Sequence, residues 1–494
     1  MRWTLLGAVT SLVVQVPYAA AMSRLLEPSD FGLVGLGIFM IRFVSYFAQG
    51  GLNSAVTQRA VLEARDVRAA VAFGIAMGVG VYAVAWAITP LAVQVVNGPP
   101  KLIAVCRGLG LTFVISAIGS TATGLLRRAM RYRTIALLEF GSYLFGYCGL
   151  GVTSAVMGCG VWSLVYASVA QCALMALGSC ALAGHDLRPL FDLRAMKEVG
   201  LFGVKVSFVG FLEFLTLGGD NVLIGRYAGM EMLGYYNRAW LLAALPLHQV
   251  AMSLNKVLLP AFSSIQAQGA RLKSAYTDSV AMTTLLFLPM GAVIAASSTN
   301  AIHVVLGADW AIAAHLVPPL AVVGTLNVIT YFPAAVAEAT GRVWQKAAIE
   351  SLHLITLLAG AGVVMLSGAG ILGLVTAVLV SRLVQHAAYI VWIGRVLPGS
   401  LRQLAIAYAQ SSAVALVIWS AVTTVGHLTA GTVPALAALA AQLITAALLG
   451  VLVLVYGRTL TGMRVAHQRA LIPSVLGSPR HPRKELTNAV HRKE

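Results

Sequence analysis

Runs of about twenty apolar residues follow one another along this chain with almost no interruption, and no other feature restricts its fold so strongly. A helix of that length rises through the ~30 Å hydrocarbon core of a bilayer. About fourteen such runs can be counted between residues 3 and 457. Of the whole chain 59% is hydrophobic and only 10% charged, with a mean hydropathy of +0.84, where a soluble domain carries about a quarter charged residues. Outer-membrane strands alternate in short, weak segments. The expectation is therefore an all-α integral membrane protein with about 14 transmembrane helices. Arg2, an apolar stretch and "YAAAM" imitate a secretory signal, but the length of the run and the repeat described below favour its retention as span 1.

A net charge of +17 would suggest nucleic acid in a soluble protein; here its distribution speaks for topology. With the N-terminus placed in the cytoplasm, 25 Lys and Arg fall on the cytoplasmic side and five on the other, namely Arg24, Lys101, Arg107, Arg226 and Arg238. Such a bias fits an even number of spans with both termini cytoplasmic in a bacterial inner membrane, and some attraction to anionic membrane lipids. No nucleic-acid partner is expected.

The loops limit the chemistry. The outer connections, the longest including "RYAGMEML" and "NGPPKLIAVCR", are too short for an extramembrane catalytic domain, and no G-x-x-x-x-G-K-[ST] phosphate loop occurs. Cys106, Cys148, Cys159, Cys172 and Cys180 lack metal-type spacing and read as packing residues. Neither a catalytic residue, a cofactor nor a metal is expected. The basic tail beyond Tyr456 reads as disordered.

Sliding the chain by 202 residues lays "SRLLEPSDFGLV" on "GRYAGMEMLGYY": Arg24 meets Arg226, Phe31 meets Leu233, Gly32 meets Gly234, and Asn53 meets Asn255. Spans 1 and 2 thus read as copies of spans 7 and 8. Six intervening spans preserve orientation, so the repeat implies two parallel six-helix lobes with pseudo-two-fold symmetry about the membrane normal. Residues 1–198 form the first lobe (spans 1–6) and 199–394 the second (spans 7–12); 395–457 add two C-terminal helices, and 458–494 the tail.

Charged residues interrupt these apolar runs in a pattern. At about 100° per residue, Lys205, Glu213, Thr216 and Asp220 fall within roughly an 80° arc of span 7. Each charge at membrane depth costs about 2.5–3.5 kcal/mol against lipid. Similar stripes hold Arg42, Ser45, Tyr46, Gln49 and Asn53 on span 2; Thr4, Ser11, Gln15 and Tyr18 on span 1; and His248, Met252, Asn255 and Lys256 on span 8. Four helices with one wet face each most simply line a shared aqueous chamber. The alternative is that Glu213 or Asp220 pairs with Lys205 or Arg42 as interhelical glue. Arg382, Gln385, His386 and Tyr389 make a fifth stripe on span 12, outside that four-helix set. Glu139, Glu338 and Glu350 lie about a turn from cytoplasmic ends and are expected on solvated rims.

"SRLLEPSDFGLVGLGIFMIRFVSYFAQGGLNSAVTQR", "IGRYAGMEMLGYYNRAWLLAALP", "LLPAFSSIQ" and "LGADW" together resemble the Wzx-like lipid-linked oligosaccharide flippases. These form the polysaccharide transport branch of the multidrug/oligosaccharidyl-lipid/polysaccharide exporter superfamily. "LGYYNRA" is the most specific string; Met230 departs from the usual proline. The resemblance implies an inner-membrane flippase that carries an undecaprenyl-pyrophosphate-linked oligosaccharide outward by alternating access, with the polysaccharide polymerase as a contact. On that reading Arg42 anchors pyrophosphate, since a guanidinium binds phosphate oxygens in bidentate fashion. Lys205 and Lys256 assist it. Gln15, Gln49, Asn53, Asn255 and His248 complete the substrate lining. Glu213 and Asp220 are candidates to bind a coupling H+ or Na+, and Gly50, Gly51, Gly218 and Gly219 are candidate hinges. A cation-coupled drug or metabolite antiporter of the same superfamily is the alternative, although the basic lining favours an anionic cargo.

Overall fold

The computed structural model describes residues 2–49, 64–184, 214–216, 218–456 and 460–461. Among them no strand occurs. The first group of helices is α1 (Arg2–Leu25), α2 (Pro28–Gln49), α3 (Ala64–Val95), α4 (Lys101–Arg128), α5 (Tyr132–Val156) and α6 (Val161–Leu182). After α7 (residues 218–227) come α8 (Gly229–Ser264), α9 (Gly269–Ala296), the short α10 (Ser298–Val305) and α11 (Ala311–Ala339). The chain continues through α12 (Val343–Ser367), α13 (Gly370–Val396), α14 (Leu401–Thr429) and α15 (Ala435–Tyr456). Ten helices among the described residues are long and apolar enough to cross a membrane.

Helix is the form that hydrocarbon permits, because it satisfies every backbone N–H and C=O within one segment. Apolar length marks only the hydrocarbon part of each helix, so a helix can extend beyond its run: α9 opens with the basic stretch 269–273. It closes at Ser297, whose N–H and hydroxyl both bond the Val293 carbonyl before α10 begins. Gly368 ends α12 in the left-handed region (φ 66°), where a side chain would be strained.

Helix α11 is the centre of its half of the bundle: 67% of its apolar window is buried, against 11–44% for the other nine membrane-length helices. It packs on α8, α9 and α13, and α8 in turn packs on α2. That last junction is unusually close. A Cβ on Gly32 would fall on the Met230 carbonyl, and one on Gly234 would fall on the Pro28 carbonyl. Both contacts exchange under the shift of 202 residues. Beside them Trp310 is buried, its ring edge-on to Phe31 (5.6 Å) and Tyr235 (5.5 Å) while Nε1 donates to the Ser23 carbonyl at 2.8 Å. The indole thus buries its apolar body and still satisfies its one donor.

Gly234→Ala should lower the midpoint of thermal unfolding in detergent, because the added methyl meets backbone that cannot rotate away; overpacking of this kind costs about 1–3 kcal/mol. Gly80, whose Cβ would meet nothing within 4 Å, is the matched control, and Gly80→Ala should leave the midpoint unchanged or raise it. Equal midpoints for the two variants would refute the close approach.

Candidate functional site

Among the described residues, polar side chains within the bundle gather chiefly in two places. The first lies among α7, α8, α12 and α13. Arg382 donates to Gln385 Oε1 (2.7 Å) and to the Thr216 carbonyl (3.2 Å). Gln385 Nε2 donates to Glu350 (2.8 Å), and Tyr389 donates to the other oxygen of that carboxylate (3.1 Å). Asp220 accepts the Tyr236 hydroxyl and the Asn221 backbone N–H (2.9 Å), and it lies within electrostatic reach of Arg382. His386 continues the face, joined to Thr330 (3.1 Å) and Tyr408 (2.8 Å). Positions 382, 385, 386 and 389 are one helical face and all are buried, as their spacing predicts.

The second gathering is the α2–α8 junction, where four successive residues of "LGYYNRA" reach three neighbouring segments. Tyr235 packs on Trp310, Tyr236 bonds Asp220, the Asn237 amide fits the space left by Gly35, and Arg238 lies 3.6 Å over the Phe31 ring. Arg238 is 9% exposed and within electrostatic reach of Tyr18 and Tyr143. Those tyrosines form an aromatic cluster with Tyr147, at centroid separations of 5.9, 5.2 and 4.8 Å. A π-helical stretch over Leu144–Gly151 gives α5 this local form, and Gly151 lets Ala167 of α6 approach to within 2.9 Å of where its Cβ would be.

The expected site residues fall as follows. Arg42 is exposed on α2 and within electrostatic reach of Tyr147. Gln15 is half-buried on α1. Gln49 closes α2, and His248, Asn255 and Lys256 lie on α8; the side chains of these four are outside what is described. Asn53, Lys205, Glu213, Gly50 and Gly51 lie outside the described residues altogether. Asp220 joins the Arg382 network, so the span 12 stripe and one end of the span 7 stripe come together. Gly218 packs beneath the Phe39 ring, whereas Gly219 has open space beside it. Glu139 and Glu338 are exposed as expected, the latter pairing with Lys346. Glu350 corrects the rim expectation: it is 6% exposed, because α13 packs along α12 and covers the helix end. Tyr236 and Arg238 were not singled out; the signal available was their place in the repeat-bearing signature.

A groove of about 490 Å³ between α9, α14 and α15, lined by residues such as Met282, Pro289, Ile418 and Val451, carries no charged side chain. It suits hydrocarbon, not sugar or phosphate.

The model of one family, described as polysaccharide biosynthesis protein, matches residues 21–315. The chain belongs to this polysaccharide biosynthesis family. Among relatives, the succinoglycan biosynthesis transport protein ExoT of Rhizobium meliloti is 26% identical over 317 residues, 63% of each chain. The teichuronic acid biosynthesis protein TuaB of Bacillus subtilis is 23% identical, over 69% of this chain and 71% of its own. The lipopolysaccharide biosynthesis protein WzxC of Escherichia coli is 20% identical, over 66% of each. The chain thus spans about two thirds of the length of these curated relatives. In fold it is similar to the lipid II flippase MurJ in an inward closed conformation (TM-score 0.68, 11% identity, 90% of this chain and 98% of that one). It is also similar to an inward-facing multidrug resistance transporter of the MATE family (TM-score 0.62, 15% identity, 80% and 99%).

In this member of the family the Arg382 network has a measurable signature. Arg382→Met should destabilise the protein by about 3 kcal/mol, since it leaves Glu350 and Asp220 without their cation. Adding Glu350→Gln should recover part of the loss, and a double-mutant cycle on unfolding free energies checks the coupling. Strict additivity would show the residues to be unlinked.

Proposed function

We propose that the chain is a flippase of the inner membrane that moves an undecaprenyl-pyrophosphate-linked oligosaccharide from the cytoplasmic to the outer leaflet by alternating access. The observation that carries the cargo assignment is the Arg42 guanidinium, exposed in the middle of α2, in a member of a polysaccharide biosynthesis family. Sugars and pyrophosphate cannot enter hydrocarbon, while a polyprenyl tail prefers it, so a chamber open sideways between two lobes accommodates both. Arg42 holds the pyrophosphate, Lys205 and Lys256 add positive potential, and Gln15, Gln49, Asn53, His248 and Asn255 face the sugars.

The lobes are residues 1–198 and 199–394, each of six spans, followed by spans 13 and 14 at 395–457, with both termini cytoplasmic. Two contacts that exchange under the 202-residue shift, Gly32 with Met230 and Gly234 with Pro28, support that division. Similarity to a succinoglycan biosynthesis transport protein, and in fold to a lipid II flippase, supports the class of cargo. With the inside negative, each negative charge moved outward gains about 2.3 kcal/mol per 100 mV. Glu213 or Asp220 could add H+ or Na+ coupling to that drive. The polysaccharide polymerase receives the product.

Reconstituted in liposomes, the protein should translocate a labelled polyprenyl-pyrophosphate oligosaccharide. Arg42→Ala should slow this by roughly tenfold to a hundredfold, the worth of a charge-assisted contact, with expression intact. Full movement by the variant would remove the anchor. Efflux of a cationic dye without lipid movement would replace the flippase reading by the antiporter one.

A further inference from the structure

We propose that Arg24 and Arg226 form a reciprocal latch that holds the outward end of the transport path shut; the inference rests on the two-lobe reading above and adds how access to its chamber is controlled. Arg24, in the last turn of α1, donates to the Val304 carbonyl at 3.1 Å. Arg226, in the last turn of α7, donates to the Val95 carbonyl. Val304 lies in the last turn of α10 and Val95 is the last residue of α3. Carbonyls at helix C-termini lack an intrahelical donor and stand at the negative end of the helix dipole, so a guanidinium suits them doubly.

The two bonds run in opposite directions between the halves. Arg24 and Arg226 are equivalent under the 202-residue shift, while their acceptors are not: Val95 falls on Ser297 and Val304 on Leu102. Each half reaches from the end of its first helix to a helix C-terminus of the other half, α10 for Arg24 and α3 for Arg226. Contacts made both ways from equivalent arginines are what an interface between two pseudo-equivalent halves offers. The same halves also meet at the glycine contacts on Met230 and Pro28 and where the Arg238 guanidinium lies over Phe31.

Arginine on the outer side opposes the positive-inside bias, so five basic residues there call for a use. Lys101 pairs with Asp30 (3.7 Å) and Arg107 lies over Trp86 (3.8 Å), both within the first half. The other three, Arg24, Arg226 and Arg238, all cross between halves. Arg24 and Arg226 are exposed, so water competes for each bond and neither can lock the end permanently. Two weak bonds that break together give a closure strong enough to populate one state and weak enough to open.

The test measures closure directly. Spin labels on genetically encoded keto amino acids at Ala104 and Thr299, both exposed at this end on opposite halves, report the distance across it in nanodiscs without cargo. The otherwise wild-type protein should give one short distance. Arg24→Gln and Arg226→Gln should each raise the proportion of a longer distance by on the order of tenfold, and the double variant by more than either. Arg107→Gln removes the same charge from the same end without crossing between halves and should leave the distribution as in wild type. An unchanged double variant, an effect of only one of the two latch arginines, or an equal shift in Arg107→Gln would overturn the latch. Because no cargo is present, loss of the oligosaccharide assignment would leave the distances as expected, and unchanged distances would sink the latch alone.

Discussion

A guanidinium at membrane depth must find water, a carboxylate or a carbonyl, because hydrocarbon offers it none of these. This chain meets that demand in two opposite ways. Arg382 is surrounded by protein: it donates to Gln385 and the Thr216 carbonyl, two carboxylates lie within electrostatic reach, and it is 6% exposed. Arg42 keeps its exposure beside the aromatic cluster of Tyr147. A buried guanidinium is closed to a ligand, whereas an exposed one can be reached by it. Charge alone does not separate the two roles; burial does.

The same constraint explains why "LGYYNRA" lies at a helix junction. Close approach of α2 to α8 needs Gly32 and Gly234 on the backbone side and leaves "YYNR" to fill what surrounds it. Tyr236 makes that junction continuous with the buried network, since its hydroxyl bonds Asp220 while its helix packs on α2. Movement of α2 against α8 would therefore be felt at Asp220, one packed side chain away. A substitution in "YYNR" disturbs both the junction and the network.

The helices were legible because a bilayer leaves the backbone one economical solution, and twenty apolar residues announce it. The face of α13 bearing Arg382, Gln385, His386 and Tyr389 was legible for a related reason: four polar residues at helical spacing cannot all face lipid. Their partners were not legible. Glu350 lies near a helix end, and sequence distance from an end says nothing about a neighbouring helix lying over it. The 202-residue shift paired Arg24 with Arg226, yet the carbonyls they reach belong to helices with no sequence mark, because every helix C-terminus ends in the same backbone groups. Side-chain patterns show which residues need partners; backbone acceptors are invisible until the helices are in place.

Charge asymmetry and closure are linked through these same residues. With 25 basic residues on the expected cytoplasmic side and five on the other, the expected bias is large enough to tolerate a few arginines against it. Carboxylates would have been the obvious partners for them, but a salt bridge between halves needs an acidic residue placed opposite each arginine. A helix terminus supplies an acceptor at no cost in sequence, and every span that ends there has one. An arginine at the end of one helix and the terminus of another are therefore enough to join two halves, and each of the two equivalent arginines finds a different terminus in the opposite half.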